Sequence, residues 1–504
     1  MTALALHRGA FAQRNQAIWI YAALIACVLF LGLCFLVAGF EVFSMALAAG
    51  LAVLLFLYPR QGLYGVISVF CMVEGSSGFV FLRDLTVLYE SLSGLFHIHG
   101  FPISTLDVAL GIILLSVFSR RKAAGMRAGD LFWPWALLCL AILPGILRGF
   151  YAGGDYNVAV QEVRSLFYVP VIYLAAINLL KERRHVHEFT AVLVGAITVM
   201  SLSALWVQFT VIRPGHLRTS VDVEFLSHEN ALFAAMVVLL AAGTIIWGKG
   251  SRLRLLMLIP GAISLGGLLV LKRRVGLVAL DFGLVLMTLA FIKQKWRLAI
   301  IVMPIVLIVG GGYIGATWNA NGSLGQPARA VRAIMGDNSD SEDVSSNTYR
   351  EAEAFNVEWN IRENPILGSG FGKEYVFVRP VPDLTGFWSF QHFTPHNSVL
   401  AIWMNGGIVP FVLLLGAFGH AMMKGMATAR REVEPLLRAW GLVAACTIPM
   451  VFLFGWEDLG LNSARTLSVL AVALAMITVV GTVGQSEGPK TVAPVPALLK
   501  RGAP

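Results

Sequence analysis

The feature that most constrains this chain is a series of apolar runs of about twenty residues, the length at which a helix crosses ~30 Å of hydrocarbon. Hydrophobic residues make up 57% of the chain and charged residues 13%, against roughly one quarter charged in a soluble domain. The pattern predicts an all-α polytopic integral membrane protein with about 14 transmembrane helices and one large extracytoplasmic loop containing short helices. The predicted spans are 17–38, 42–58, 63–82, 103–118, 131–149, 164–180, 188–212, 229–247, 255–271, 275–292, 298–317, 397–422, 436–455 and 465–484.

Short basic clusters between these spans predict the orientation of the chain. They fall in alternate loops, which face the cytoplasm by the positive-inside rule, so both termini are expected there. These clusters also account for the net charge of +9. Because no nucleic-acid-binding motif accompanies them, no nucleic-acid partner is predicted. The clusters lie at 120–127, 181–184, 249–254, 293–297 and 424–431.

The same pattern divides the chain into four parts. A single extramembrane segment is large enough to fold, and loops of this length usually have a function. The segment contains no cysteine, so no disulfide is predicted in it. The four parts are 1–317 with helices 1 to 11, 318–396 as the extracytoplasmic loop, 397–484 with helices 12 to 14, and 485–504 as a disordered cytoplasmic tail.

The loop contains one strong helix signal, TYREAEAFNVEWNIRENPILGSGFG. Thr348 and Glu351 form a capping-box pattern that predicts the start of the helix, and Asn364-Pro365 predicts its end. The GSGFG that follows lacks the Walker lysine and the strand–turn–helix setting of a phosphate loop, so nucleotide binding is not expected. An apolar stripe at helical spacing predicts an amphipathic helix lying over the membrane face, with Ala352, Phe355 and Trp359 on that stripe.

Several arginines are predicted on the extracytoplasmic side of the membrane. The triplet Lys272-Arg273-Arg274 lies there between two short spans, against the usual charge bias. Such charges either snorkel to lipid headgroups or bind an anion, and guanidinium matches phosphate with paired donors. The other basic residues predicted on that side are Arg164, Arg213, Arg218 and Arg350.

His396 directly precedes an apolar span, next to the large loop. An imidazole can remove a proton from a sugar hydroxyl near neutral pH. The alternative is an interfacial histidine that caps the following helix, and His392 is a less well placed candidate base. His216 and His228 lack the ligand spacing of a metal site, so no metal is predicted.

Two segments, YREAEAFNVEWNIRENPILGSGFG and HNSVLAIWMNGGIVPFVLLL, carry a family resemblance. The chain resembles the superfamily of O-antigen ligases and O-antigen polymerases, which are bacterial polytopic membrane glycosyltransferases and include exopolysaccharide polymerases. Weaker similarities lie in LRTSVDVEFLSHENALFA and RRVGLVAL.

The resemblance implies roles for individual residues. It implies that His396 is catalytic and that Arg218 and Arg274 bind the lipid diphosphate, with Arg350 as the loop arginine. Arg273 replaces the serine usual before the motif arginine, which leaves the choice between Arg273 and Arg274 open. Asn405 stands where the family commonly has an acidic residue, so the role of that carboxylate is in doubt here.

The resemblance further implies a function in the bacterial inner membrane, with the active site facing the periplasm. The donor would be an undecaprenyl-diphosphate-linked glycan and the acceptor either a glycan, in a polymerase, or lipid A core, in a ligase. Neither a cofactor nor a metal is implied. Chain-length regulators and flippases would be partners, together with membrane lipids. A lipid-linked oligosaccharide transporter or flippase is the alternative from another class.

Overall fold

The computed structural model describes residues 47–73, 103–212, 228–247, 251–271, 274–294, 296–320, 325–335, 341–386, 388–430 and 434–486. Over these ranges the regular structure is helical, which confirms the predicted all-α class. A short helix at Arg121–Ala124 and a π-helical turn at Gln208–Ile212 accompany sixteen longer helices in the described residues. These are α1 (Leu47–Leu57), α2 (Pro59–Met72), α3 (Thr105–Ser119), α4 (Phe132–Tyr151), α5 (Tyr156–Leu179), α6 (Arg183–Val207), α7 (Glu229–Trp247), α8 (Ser251–Leu271), α9 (Arg274–Gln294), α10 (Trp296–Ala316), α11 (Gln326–Ile334), α12 (Ser341–Glu363), α13 (Ser398–Gly406), α14 (Ile408–Ala429), α15 (Pro435–Glu457) and α16 (Ala464–Ser486).

Within the described ranges, 9 helices are long and apolar enough to cross a membrane, or 10 if α1 and α2 form one bent span. The predicted number of about 14 is therefore not confirmed. The first predicted run, 17–38, lies outside the described residues. The next two runs are replaced by α1 and α2, which meet at an angle of 118°. Proline at the first position of α2 favours a new helix there.

The central helices of the bundle are mostly buried, and the outer helices expose apolar side chains suited to contact with lipid. In the apolar 18-residue stretch of each helix, 78% of the residues are buried in α7, 78% in α15 and 83% in α16, against 33% in α4 and α14. Exposed leucines and valines such as Leu140 and Val412 cover the outer helices. A hydrocarbon environment requires helices whose backbone N–H and C=O groups are hydrogen-bonded within the helix and whose outer side chains are apolar.

Helix α12 ends at Glu363, directly before Asn364-Pro365, as predicted, but it begins at Ser341 rather than at Thr348. No glycine or proline lies between these two positions, so the helix continues upstream through the capping pattern. The face of α12 that packs on the protein is also not the predicted apolar stripe. Trp359 is 40% exposed, and the buried face next to it carries Glu353, Asn356 and Asn360.

Two asparagines on this buried face hold the loop that follows α12. Asn356 Oδ1 accepts hydrogen bonds from the backbone N–H groups of Val378 (2.9 Å) and Arg379 (2.7 Å). Asn360 Oδ1 accepts from Val376 N–H at 3.0 Å, and its amide donates to Val376 O at 2.9 Å. The side chains thus replace the partner strand that an extended segment would otherwise need.

The GSGFG loop, residues 368–372, is inserted between helices. Its five backbone N–H groups donate to protein acceptors: Asn364 O, Met404 O, Asn405 O, Gly145 O and Glu162 Oε2. A phosphate-binding loop needs such N–H groups for its ligand, so this loop is structural, in agreement with the sequence interpretation. Gly370 has φ of 102°, and a Cβ there would lie 2.5 Å from Gly149 Cα. Glycine is therefore required at this close approach.

The predicted span 397–422 is broken into α13 and α14 at Gly407, which has φ of 85°. A Cβ at Gly407 would lie 2.1 Å from Ile366 O. The break lets the backbone of Ile408 donate to Ile366 O at 3.2 Å. The short helix α13 therefore starts at the loop and ends against the GSGFG segment.

Candidate active site

His396 lies at the junction of the loop and α13, with a side chain that is 22% exposed. The residue that caps α13 is Asn397, whose side chain accepts from Leu400 N–H at 2.9 Å. The alternative interpretation, in which His396 caps the helix, is therefore wrong. The imidazole is instead directed at α12.

Glu353 of α12 is the partner of His396. Both carboxylate oxygens lie 3.1 Å from His396 Nδ1, and Oε2 also accepts the backbone N–H of His396 at 2.9 Å. The side chain of Glu353 is only 4% exposed. An Nδ1–H that donates to a carboxylate leaves the lone pair on Nε2, the arrangement of a base oriented by an acidic residue.

Two aromatic rings enclose the imidazole. The ring centroid of Trp388 lies 4.9 Å from that of the imidazole, and the ring centroid of Tyr349 lies 5.5 Å from it; both pairs are edge-on. Burial, with the nearby Glu353 carboxylate, raises the pKa of Tyr349 above its usual range. The phenol therefore stays protonated and donates to Glu353 Oε1 at 3.3 Å. His392, by contrast, stacks on Phe377 in the same loop, 5.0 Å between rings.

A second histidine–carboxylate pair lies at the same end of the bundle. His228 lies just before α7, and Asp458 lies directly after α15. The two side chains are hydrogen-bonded through His228 Nδ1 and Asp458 Oδ2. Burial would raise the pKa of the Asp458 carboxyl, but the contact with His228, together with His396 and Arg350 nearby, holds that pKa below its usual range. Ser398, two residues after His396, shares its single hydroxyl proton between Gly455 O (2.8 Å) and Asp458 O (3.0 Å), so the start of α13 is connected to the Asp458 turn.

The predicted arginines are only partly described. Arg350 lies 3.9 Å from Glu457, beside the Asp458 turn. Arg218 and Arg273 lie outside the described residues, and Arg274 is the first residue of α9. The backbone places the start of α9 against the start of α7, because a Cβ on Gly276 would lie 2.3 Å from Ala231 Cβ. The position of Arg274 is thus at the same end of the bundle as His228.

Arg164 belongs to a different place. Its guanidinium pairs with Asp107 at 3.7 Å, at an apolar cavity of about 420 Å³ between α3, α4 and α5. Tyr168 also donates to this carboxylate. Arg213 lies outside the described residues.

Asn405, at the position where the family commonly has an acidic residue, is hydrogen-bonded to an acidic side chain of another helix. Asn405 is 1% exposed and donates to Glu162 Oε1 of α5 at 3.3 Å. Glu162 also accepts from Gly372 N–H at 2.6 Å and from Thr394. Asn405 therefore connects α13 to a buried acid that holds the loop near His396.

Sequence reasoning named His396 and Arg350, which lie at this end of the bundle, and did not name their neighbours Glu353, Glu162 and the His228–Asp458 pair. A signal existed for Glu353, which shares one helix face with Asn356 and Asn360 at i, i+3 and i+7. His228 and Asp458 are 230 residues apart, and nothing local links them. Among the described residues, no group of three or more His, Cys, Asp and Glu side chains forms a metal site.

Comparison with known proteins gives two matches. The family described as O-Antigen ligase matches residues 259–415 of this chain. The second match is an O-antigen ligase of Salmonella typhimurium, 26% identical over 217 residues, which are 42% of this chain and 50% of that protein. Together the two matches support membership in the O-antigen ligase superfamily. The chain thus matches about half the length of this relative. The family match includes Arg274, Arg350, Glu353 and His396.

Proposed function

We propose that this protein is an inner-membrane glycosyltransferase of bacterial surface polysaccharide assembly, acting on an undecaprenyl-diphosphate-linked glycan at the periplasmic side. Membership of the superfamily supports a role in surface polysaccharide assembly. The observation that carries the reaction type is His396, which is oriented by buried Glu353 and open at Nε2. A lipid transporter has no need of such an oriented base.

The reaction moves one proton and one electron pair. The acceptor oxygen bonds to the anomeric carbon of the donor sugar while the bond from that carbon to the phosphate oxygen breaks. The hydroxyl proton passes to His396 Nε2, and the electron pair leaves on the lipid diphosphate. Glu353 stabilises the imidazolium that forms. Arg218 and Arg274, or Arg273 in its place, and Arg350 stabilise the departing charge. No metal or cofactor takes part in this proposal.

The orientation rests on charge distribution. His396 and Glu457 lie at one end of α15, while Arg183 bonds Glu434 at the other end, 2.7 Å apart. Arg183 belongs to a predicted cytoplasmic cluster. The 23 residues of α15 span ~34 Å at ~1.5 Å per residue, enough to cross the bilayer. The end that carries His396 is therefore assigned to the periplasm.

The acceptor decides between two activities. The relative and the matching family are both described as O-antigen ligases, which favours lipid A core as acceptor. A growing lipid-linked glycan would make the protein an O-antigen or exopolysaccharide polymerase instead. Purified protein given the same donor with each acceptor in turn distinguishes the two activities by which acceptor gains mass.

The enzyme assignment is tested with a pair of matched substitutions. His396→Asn keeps an amide N–H where Nδ1–H donates to Glu353 but removes Nε2, so transfer should fall by about 10²–10⁴. His392→Asn changes a histidine of the same loop and should transfer normally. Equal transfer by both variants would contradict the catalytic assignment. Wild-type protein that moves the lipid-linked glycan between leaflets without forming a glycosidic bond would support the flippase alternative.

A further inference from the structure

The His228–Asp458 pair is not used by the chemistry described above. The two side chains differ in exposure, since Asp458 is 6% exposed and His228 29% exposed. Asp458 Oδ1 accepts the N–H of Leu459 at 2.8 Å, so Oδ2 is directed at His228. The acid is sealed in the protein, whereas the imidazole borders open space.

The neighbourhood of this pair is the region assigned to the donor. Arg350 approaches Glu457, the residue before Asp458, at 3.9 Å, and Ser398, two residues after His396, bonds Asp458 O at 3.0 Å. The start of α9, with Arg274, lies beside Ala231, three residues after His228. The backbone of Arg274 therefore lies at the same end of the bundle as the partly exposed His228 side chain.

We propose that His228, oriented by buried Asp458, binds the diphosphate of the lipid-linked donor through Nε2–H, with both ring nitrogens protonated only in that complex, where the ring lies between two anions. The two ring nitrogens point to opposite sides, so Nδ1–H donates to the buried carboxylate while Nε2–H is directed at the ligand. As the sugar–phosphate bond breaks, this hydrogen bond strengthens towards the charge developing on the phosphate oxygen. This inference rests on the proposed function: His396 receives the acceptor proton, and His228 stabilises the departing diphosphate.

The competing explanation is a purely structural pair that joins the ends of α7 and α15. Two amide substitutions separate the explanations, because each preserves a different ring nitrogen. His228→Asn keeps a donor at the Nδ1 position, towards Asp458, and loses Nε2–H. His228→Gln keeps a neutral donor at the Nε2 position.

The experiment measures donor and acceptor kinetics separately with purified full-length protein. His228→Asn should lower kcat/KM for the donor about tenfold to a hundredfold, the loss expected for one charge-assisted contact, and leave the acceptor KM unchanged. His228→Gln should retain more activity than His228→Asn. The control is His187→Asn, since His187 pairs with Glu434 (3.4 Å) at the opposite end of α15. It should behave as wild type.

The outcomes separate this inference from the proposed function. If the wild-type protein transfers no glycan, the proposed function fails. If the wild type transfers and His228→Asn matches it in donor kinetics, the pair is structural and the inference is overturned. A measurement on unsubstituted protein covers the case in which the variants do not fold. Inorganic pyrophosphate should protect His228, but not His187, from diethyl pyrocarbonate, as followed by mass spectrometry, and equal labelling with and without pyrophosphate would overturn the proposal.

Discussion

Replacing Glu353 by glutamine is the sharpest test of the base. The carboxylate accepts three donors: the Nδ1–H and backbone N–H of His396 and the hydroxyl of Tyr349. Glutamine has nearly the same shape but offers only one accepting oxygen. In Glu353→Gln, one of the three donors must therefore face the NH₂ group. The negative charge that stabilises the imidazolium is lost as well.

The size of the effect follows from the geometry. At the observed 3.1 Å, two unit charges attract by about 5 kcal/mol for an effective dielectric constant of ~20. An amide oxygen retains part of this as a neutral hydrogen bond of about 1 kcal/mol, and His396 is partly exposed to solvent. A net loss of about 3 to 4 kcal/mol corresponds to a decrease of roughly 10²–10³ in kcat. Substrate KM should change little, because Glu353 is buried behind the histidine.

The assay is glycan transfer by purified protein at saturating donor and acceptor, with thermal unfolding measured in parallel. Glu358→Gln is the control, because Glu358 lies on the exposed side of the same helix and pairs only weakly with Arg362 at 3.5 Å. It should retain wild-type kcat. If folded Glu353→Gln has a kcat within threefold of the control, the carboxylate does not assist the base and the dyad argument is wrong.

Three further predictions follow from the site and from the assigned orientation. Arg218→Ala and Arg274→Ala should each lower transfer at limiting donor about tenfold to a hundredfold. Lysine at either position should restore part of the activity, because it keeps the charge but not the planar fork. Full activity of both folded alanine variants would place the diphosphate elsewhere. In a cysteine-accessibility experiment on intact spheroplasts, an impermeant reagent should label a cysteine at Ser341 but not one at Ser119, and the reverse pattern would invert the topology. Tyr349→Phe removes the hydroxyl that donates to the buried carboxylate and should lower kcat up to about tenfold; an unchanged kcat would show that this hydrogen bond does not position the dyad.

The sequence predicts well what depends on local composition. Apolar length indicates the helical class, and Asn364-Pro365 marks the end of α12, because proline excludes the preceding residue from helical geometry. The break at Gly407 had a local signal too, since Asn405-Gly406-Gly407 is a turn-like sequence within an apolar run. That signal was outweighed by the apolar length, which is why one span was predicted where two helices form.

The missed partners depend on long-range contacts. Glu353 lies 43 residues before His396, and its role appears only when the loop folds back along α12. This folding back depends on Asn356 and Asn360, polar residues on a helix face where the sequence interpretation looked for apolar ones. The buried face of a helix is read from hydrophobic spacing. On α12 the buried residues include Val357 and Ile361, but hydrophobic spacing does not reveal the two hydrogen-bonded asparagines beside them.

Three buried carboxylates explain how the loop is held without a disulfide. Glu162, Glu353 and Asp458 come from α5, α12 and the end of α15, and each whole residue, backbone included, is 3 to 4% exposed. Each accepts a backbone N–H from the segments around the site, at 2.6, 2.9 and 2.8 Å. Such a hydrogen bond contributes about 1 kcal/mol when the acid is neutral and about 1.5 to 3 kcal/mol when it is charged, and removing one partner inside the protein costs more than removing it at the surface. Glu353 contacts the His396 ring, while Glu162 holds the GSGFG loop through Gly372. Changes at these two acids should therefore disturb catalysis more than changes along the largely exposed stretch 379–386.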